Sequence, residues 1–188
     1  MLGLWIALGV IAFLVVVIVG YIIGTRNSLV RMRNNVEESF SSMDIAMKKR
    51  YDLVPNLVNT IKGATKHENQ TLVEVINARN GCLAATTKEE KNKADNQLSH
   101  TLKNLFALSE SYPDLKANTN FLDLQAKLET LELEIANSRR FYNANVKELN
   151  NKVEMFPSNI IARWFKFERE KMFEVDSPEE RKNVKVEF

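Results

Sequence analysis

The hydropathy pattern changes character once, at Thr25. Met1 to Thr25 has no charged side chain and no proline, and Leu4 to Ile23 is one apolar run, LWIALGVIAFLVVVIVGYII. Such a run of ~20 residues, rising about 1.5 Å each, covers about 30 Å, the thickness of a hydrocarbon core. The pattern predicts a membrane-spanning helix carrying Leu4, Phe13 and Ile23, with Trp5 and Tyr21 near its ends, where interfacial aromatics anchor a span. A cleaved signal peptide fits less well, because no Lys or Arg precedes the run and Val19-Gly20-Tyr21 is a poor cleavage site. A soluble core helix also fits poorly, since valine and isoleucine surround this one on every side.

Beyond Thr25 the apolar positions recur at steps of three and four, the helical signature. The first helix starts near Asn27 or Ser28, and its seam reads Leu29, Met32, Val36, Phe40, Met43, Met47, Tyr51, Val54, Val58, Ile61. Pro55 interrupts the backbone bonding, but the phase carries across it, so it predicts a kink and not a turn. Gly63 and the polar stretch after it stop this helix. A shorter helix carries Leu72, Val75, Ile76 and Leu83, and a third runs from about Lys88 to Ser111 with Leu98, Leu102, Leu105, Phe106 and Ser109. Tyr112-Pro113-Asp114 reads as a turn. The fourth spans about Asn118 to Glu154, with Leu124, Leu128, Leu131, Ile135, Tyr142, Leu149 and Val153 inward, and Phe156-Pro157 ends it.

First and last helices of similar length, joined by two shorter ones, suggest an all-α body behind an N-terminal transmembrane helix: an antiparallel up-and-down four-helix bundle. The rival is a long kinked rod that pairs with other copies as a coiled coil. Residues 1–25 form the anchor, 26–155 the bundle, 156–173 an amphipathic tail helix and 174–188 a polar tail. In the tail, Phe156 precedes a predicted stripe of Ile160, Ile161, Trp164 and Phe165 flanked by Arg163, Lys166 and Arg169, with Ser158 as its cap. That stripe suits an interfacial helix on anionic lipid. It equally suits packing against the base of the bundle.

Composition narrows the function classes. A net charge of +2, from 26 basic and 24 acidic residues, supplies no drive toward nucleic acid. Few glycines and prolines disfavour a β-rich body. Arg26, Arg31 and Arg33 follow the span and nothing basic precedes it, so the positive-inside rule puts the N-terminus out and the body in the cytoplasm. The single cysteine, Cys82, suits a reducing compartment.

Reactive constellations are scarce. His67 and His100 stand alone, and His67-Glu68 lacks the second histidine of a zinc helix. Cys82 has no C-x-x-C partner, no nucleophile elbow or phosphate loop occurs, and Glu89-Glu90 and Glu179-Glu180 read as solvated faces. No catalytic residue, cofactor or metal ligand is expected, and no enzyme. Asp44 is the polar residue that stands out, lying on the first seam between Phe40 and Met47. Antiparallel pairing predicts a bridge from Asp44 to Arg139 or Arg140. The plainer alternative is a surface pair with Lys48 at i+4.

The stretch Arg33-Asn34-Asn35-Val36 through Met43-Asp44-Ile45-Ala46-Met47-Lys48-Lys49-Arg50-Tyr51-Asp52-Leu53-Val54-Pro55-Asn56-Leu57-Val58 resembles the bacterial LemA family. So do Lys62-Gly63, His67-Glu68, Ala78-Arg79, Arg139-Arg140-Phe141-Tyr142-Asn143, Phe156 to Ala162 and Phe173-Glu174, in the same order. Phe40 stands where the family often has tryptophan, and Gly63-Ala64-Thr65 departs mildly from its usual G-Y-A. The resemblance implies a single-pass inner-membrane protein with an antiparallel helical bundle, and it supplies no reaction. The expected role is therefore a membrane-anchored, non-enzymatic scaffold or interaction module. Its candidate partners are the lipid bilayer, other copies in a homo-oligomer and an integral membrane protein. The alternative is a self-assembling protein that senses or remodels membranes.

Overall fold

A computed structural model describes residues 2–64 and 69–173, and every element among them is helical. The order is α1 (Leu2–Ala64), α2 (Asn69–Ala84), α3 (Lys88–Ser109), α4 (Pro113–Lys116), α5 (Thr119–Glu154) and α6 (Ser158–Trp164). The expected anchor and first helix are one element: α1 has 63 residues and continues past Gly20, Gly24 and Pro55. Its phase is unbroken at Pro55, so the other turns keep their bonds while one is lost. The apolar run within it is exposed, and the helix is long and apolar enough to cross a membrane. Burial begins at Thr25, the residue where the chemistry of the sequence changes. His67 and Glu68, and the polar tail 174–188, lie outside the described residues.

The described chain forms two compact units. The first draws on residues 2–41 and Arg140–Met172, the second on the described residues of Ser42–Arg139 together with Phe173. In the first, Leu29 and Val36 of α1 are buried, as are Tyr142, Val146 and Leu149 of α5 and Ile161 and Ala162 of α6. The rings of Phe40 and Tyr142 meet edge to face, with centroids 6.0 Å apart.

In the second unit, Met43, Met47, Arg50, Val54, Leu57 and Ile61 form the buried seam of α1. Tyr51 is buried on this seam as the sequence predicts, and Arg50 is buried beside it. On α2 the buried side is Leu72, Val75, Ala78 and Cys82, whereas Leu83, expected inside, is exposed. Leu83 lies about 80° off the centre of the arc formed by those four residues, at about 100° of turn per residue, and so falls at its outer edge. The α3 seam runs Asp95, Leu98, Thr101, Leu102, Leu105 and Ser109. A capping box starts α3: Thr87 accepts from the Glu90 amide, and the Glu90 carboxylate accepts from the Thr87 amide. Those bonds, with two more from Thr86, pull the Glu90 carboxyl down to about 2. Where a turn was expected at Pro113, the chain makes the short helix α4, and its Leu115 is buried.

Candidate functional site

The densest polar construction in the second unit centres on Arg50 and Asp95, both 0% exposed. Arg50 sits on the inner seam of α1 and Asp95 on that of α3, so helix packing that buries the neighbouring leucines and methionines buries this pair too. Arg50 Nη2 donates to Asp95 Oδ1, and Arg50 Nη1 donates to Glu132 Oε2 of α5 and to Ser99 Oγ at 2.8 Å. Ser99 Oγ donates onward to Glu132 Oε1 at 3.0 Å. Asp95 also accepts from the Tyr51 hydroxyl at 2.9 Å and from Arg139 Nη2 at 3.1 Å. Arg79 of α2 donates through Nε to the Tyr51 carbonyl at 2.8 Å. Two cations and two anions thus balance where side chains of α1, α3 and α5 meet, with α2 fastened alongside.

Electrostatics follow from this packing. Burial works to lower the Arg50 pKa, but the Asp95 and Glu132 carboxylates outweigh it and hold the guanidinium charged. Burial and the Asp95 charge push the Tyr51 hydroxyl far above its ordinary value, so it serves as a permanent donor. The same two causes push the Cys82 thiol up to about 11, which leaves it a protonated, unreactive core group.

The expected bridge from Asp44 to Arg139 or Arg140 is not made. Asp44 Oδ1 accepts from Lys91 Nζ of α3 at 2.6 Å, and Arg139 is engaged by Asp95. Arg140 is exposed. The competing acid, Asp95, is fully buried and offers Arg139 a desolvated carboxylate, whereas Asp44 is half-buried and within reach of a flexible lysine. Asp95 escaped the sequence reading, which began the α3 seam at Leu98. One step of three backward would have reached it.

Beside the cluster lies a cleft of about 600 Å³, lined by Lys49, Asp52 and Leu53 of α1 and by Ala126, Lys127, Thr130 and Leu131 of α5. Lys49 pairs with Glu134 at 3.4 Å and Lys127 with Asp123 at 2.7 Å, both at the surface. Ile45, Leu122 and Leu133 are exposed apolar side chains of the same unit.

In the first unit the span residues Leu4, Trp5, Phe13, Tyr21 and Ile23 are all exposed. The tail does not form the single stripe expected of it. Ile161 is 4% exposed, whereas Ile160 is 58%, Trp164 68% and Phe156 78% exposed. Ile161 turns inward with Ala162, whereas Ile160, about 100° further round the helix, lies on the outer side with Trp164. Phe165 is partly exposed, and Arg163 and Lys166 are exposed. Ser158 does not cap α6; its hydroxyl bonds to the carbonyls of Lys152 and Met155, closing the end of α5. Lys166 takes a left-handed conformation (φ 56°) as α6 ends, with Lys166 N bonded to Arg163 O and Phe167 N to Ala162 O.

The chain then returns along α5. The Asn150 amide donates to Glu170 O and accepts from Glu170 N, both at 2.9 Å, imitating a strand partner. The Tyr142 hydroxyl donates to Lys171 O at 3.1 Å. Burial first, and then the charges of Glu170 and Glu37, raise the Tyr142 pKa above its ordinary value.

The chain is 27% identical over 145 residues to Protein LemA of Metamycoplasma hominis, covering 75% of this chain and 65% of that relative's length. It is 23% identical over an alignment of 193 positions, gaps included, to Magnetosome protein MamQ 2 of Paramagnetospirillum magneticum, covering 89% of this chain and 69% of the relative. Magnetosome protein MamQ 1 of the same organism matches equally well. The family model for LemA covers residues 39–188, a stretch that includes Arg50, Asp95, Arg139 and the returning tail, and the chain belongs to the LemA family.

Proposed function

We propose that this chain is a non-enzymatic interaction module held at the bacterial inner membrane by α1, with its N-terminus outside and its body in the cytoplasm. In this reading α1, α2, α3 and α5 of the second unit make an up-and-down four-helix bundle whose purpose is to present a fixed surface to a partner. The supporting observation is the contrast between cluster and cleft. The strongest charges of the unit are spent on one another inside, while the adjacent cleft keeps an apolar floor of Leu53, Ala126 and Leu131 open to the outside. A rigid support under an open apolar surface is what a docking site needs. The fixed Arg50–Asp95 pairing then acts as the register pin of that surface.

In-cell photocrosslinking tests this. A photoreactive residue at Leu53 or Thr130 should give discrete higher-mass adducts that the same residue at Lys93, an exposed position of α3, does not give. The same adducts from all three positions, or none from the two cleft positions, would overturn the proposal.

A further inference from the structure

The first unit holds a feature that the cleft proposal does not use. Arg26, three residues beyond Ile23, lies over the Phe165 ring at 5.3 Å, and Phe165 stacks on Trp164 with centroids 5.8 Å apart. Arg33 lies over Phe167 at 5.4 Å. Three residues of helix rise are about 5 Å, so these contacts fix the Trp164–Phe165 pair at the level where the apolar run of α1 ends. There α6 turns Ile161 and Ala162 inward and leaves Ile160 and Trp164, four residues apart, exposed on its outer side. Met155 and Phe156, just ahead, are exposed as well. Residues 155–167 contain no acidic side chain, and Arg163 and Lys166 are exposed among the aromatics. The nearby Glu154 is paired with Arg169 at 2.8 Å.

We infer that Met155, Phe156 and the outer side of α6 are a second, interfacial foothold in the leaflet through which α1 leaves the bilayer, and that Arg163 and Lys166 favour anionic lipid there. The occupant is lipid because the patch begins where the exposed apolar surface of α1 stops. Tryptophan and phenylalanine beside exposed cations also match the headgroup boundary. The inference rests on reading α1 as a membrane span, as the interaction proposal also does.

Two single-tryptophan forms of the full chain separate the claims, each reconstituted as one copy per lipid nanodisc. Trp5→Phe leaves Trp164 to report on the foothold, and Trp164→Phe leaves Trp5 to report on the span. Lipids brominated high on the acyl chain should lower Trp164 emission roughly twofold in phosphatidylglycerol discs and less in phosphatidylcholine. Aqueous iodide should quench Trp164 only weakly. Phe156→Asp with Ile160→Asp, both at exposed positions, should restore Trp164 emission and leave Trp5 unchanged. Trp164 open to iodide and blind to brominated lipid, while Trp5 responds, removes the foothold and leaves the span standing. Trp164 shielded from both quenchers means that protein covers the patch, which also overturns the inference. An unresponsive Trp5 removes the span and the foothold with it. Equal responses in the two lipids refute the part played by Arg163 and Lys166.

Discussion

The two units fasten their helices by opposite means. In the second, charge meets charge in the dry interior: Arg50 and Asp95 are sealed, and Arg139 and Glu132 complete them from the edge. In the first, Asn150 and Tyr142 grip the backbone of residues 170 and 171, and arginines lie on aromatic rings. A charge cluster depends on the identity of every member, because removing one leaves the others desolvated and unpaired. A backbone grip depends on the gripping side chain and tolerates most side chains on the gripped segment. Tight sequence constraint therefore belongs to the interior of one unit and to one partner only in the other.

The second unit is most vulnerable at Asp95, which pairs with both arginines. Asp95→Ala leaves Arg50 and Arg139 facing each other with only the half-exposed Glu132, and should cost about 3–5 kcal/mol in urea unfolding of the full chain. Asn150→Ala strands the Glu170 amide and carbonyl. It should cost about 1–3 kcal/mol, and hydrogen exchange should locate the loss at residues 168–172. By contrast, alanine at Glu170 keeps both of these bonds, since they come from its backbone, and should cost less than Asn150→Ala. An exposed carboxylate sharpens the point about burial. Folding lowers the Glu90 carboxyl from 4.5 to about 2, so its contribution is present above pH 4.5 and is lost as pH falls toward 2. Glu90→Gln should flatten that acid limb in a pH series of urea midpoints. Lys166→Gly relieves a left-handed lysine and should raise stability by about 1 kcal/mol in the same assay. The smallest effect belongs to Asp44→Asn. Its pair with Lys91 is partly solvated and should be worth a few tenths of a kcal/mol by double-mutant cycle.

The helices were legible because their seams repeat: Leu98, Leu102 and Leu105 lie inside, as do Leu128, Leu131 and Ile135. What sequence periodicity could not show was which polar residue shared the inside with them. Arg50 lies on a run of steps four, three, four, three between Met43 and Leu57, yet a charged side chain in that slot reads as solvent-facing until its partner is known. Asp95 belongs to another helix, 45 residues away, and no local pattern joins the two. The tail misled for a different reason. Ile160 and Ile161 are both apolar, and hydropathy alone does not say which of the two faces the protein. The grip of Asn150 on Glu170 involves backbone atoms, which carry no sequence signal at all.

The separations within the charge cluster also set a schedule for the chain as it is made. Arg50 meets Asp95 across 45 residues and Glu132 across 82. At roughly 5–20 residues per second of synthesis, Glu132 follows Arg50 by about 4–16 s. Until Asp95 emerges, closing α1 against α2 around the guanidinium would strand a charge, and until Glu132 emerges Arg50 has one of these two carboxylates and lacks the other. The cluster is thus a late latch: the second unit cannot complete its dry interior until more than two thirds of the chain has appeared.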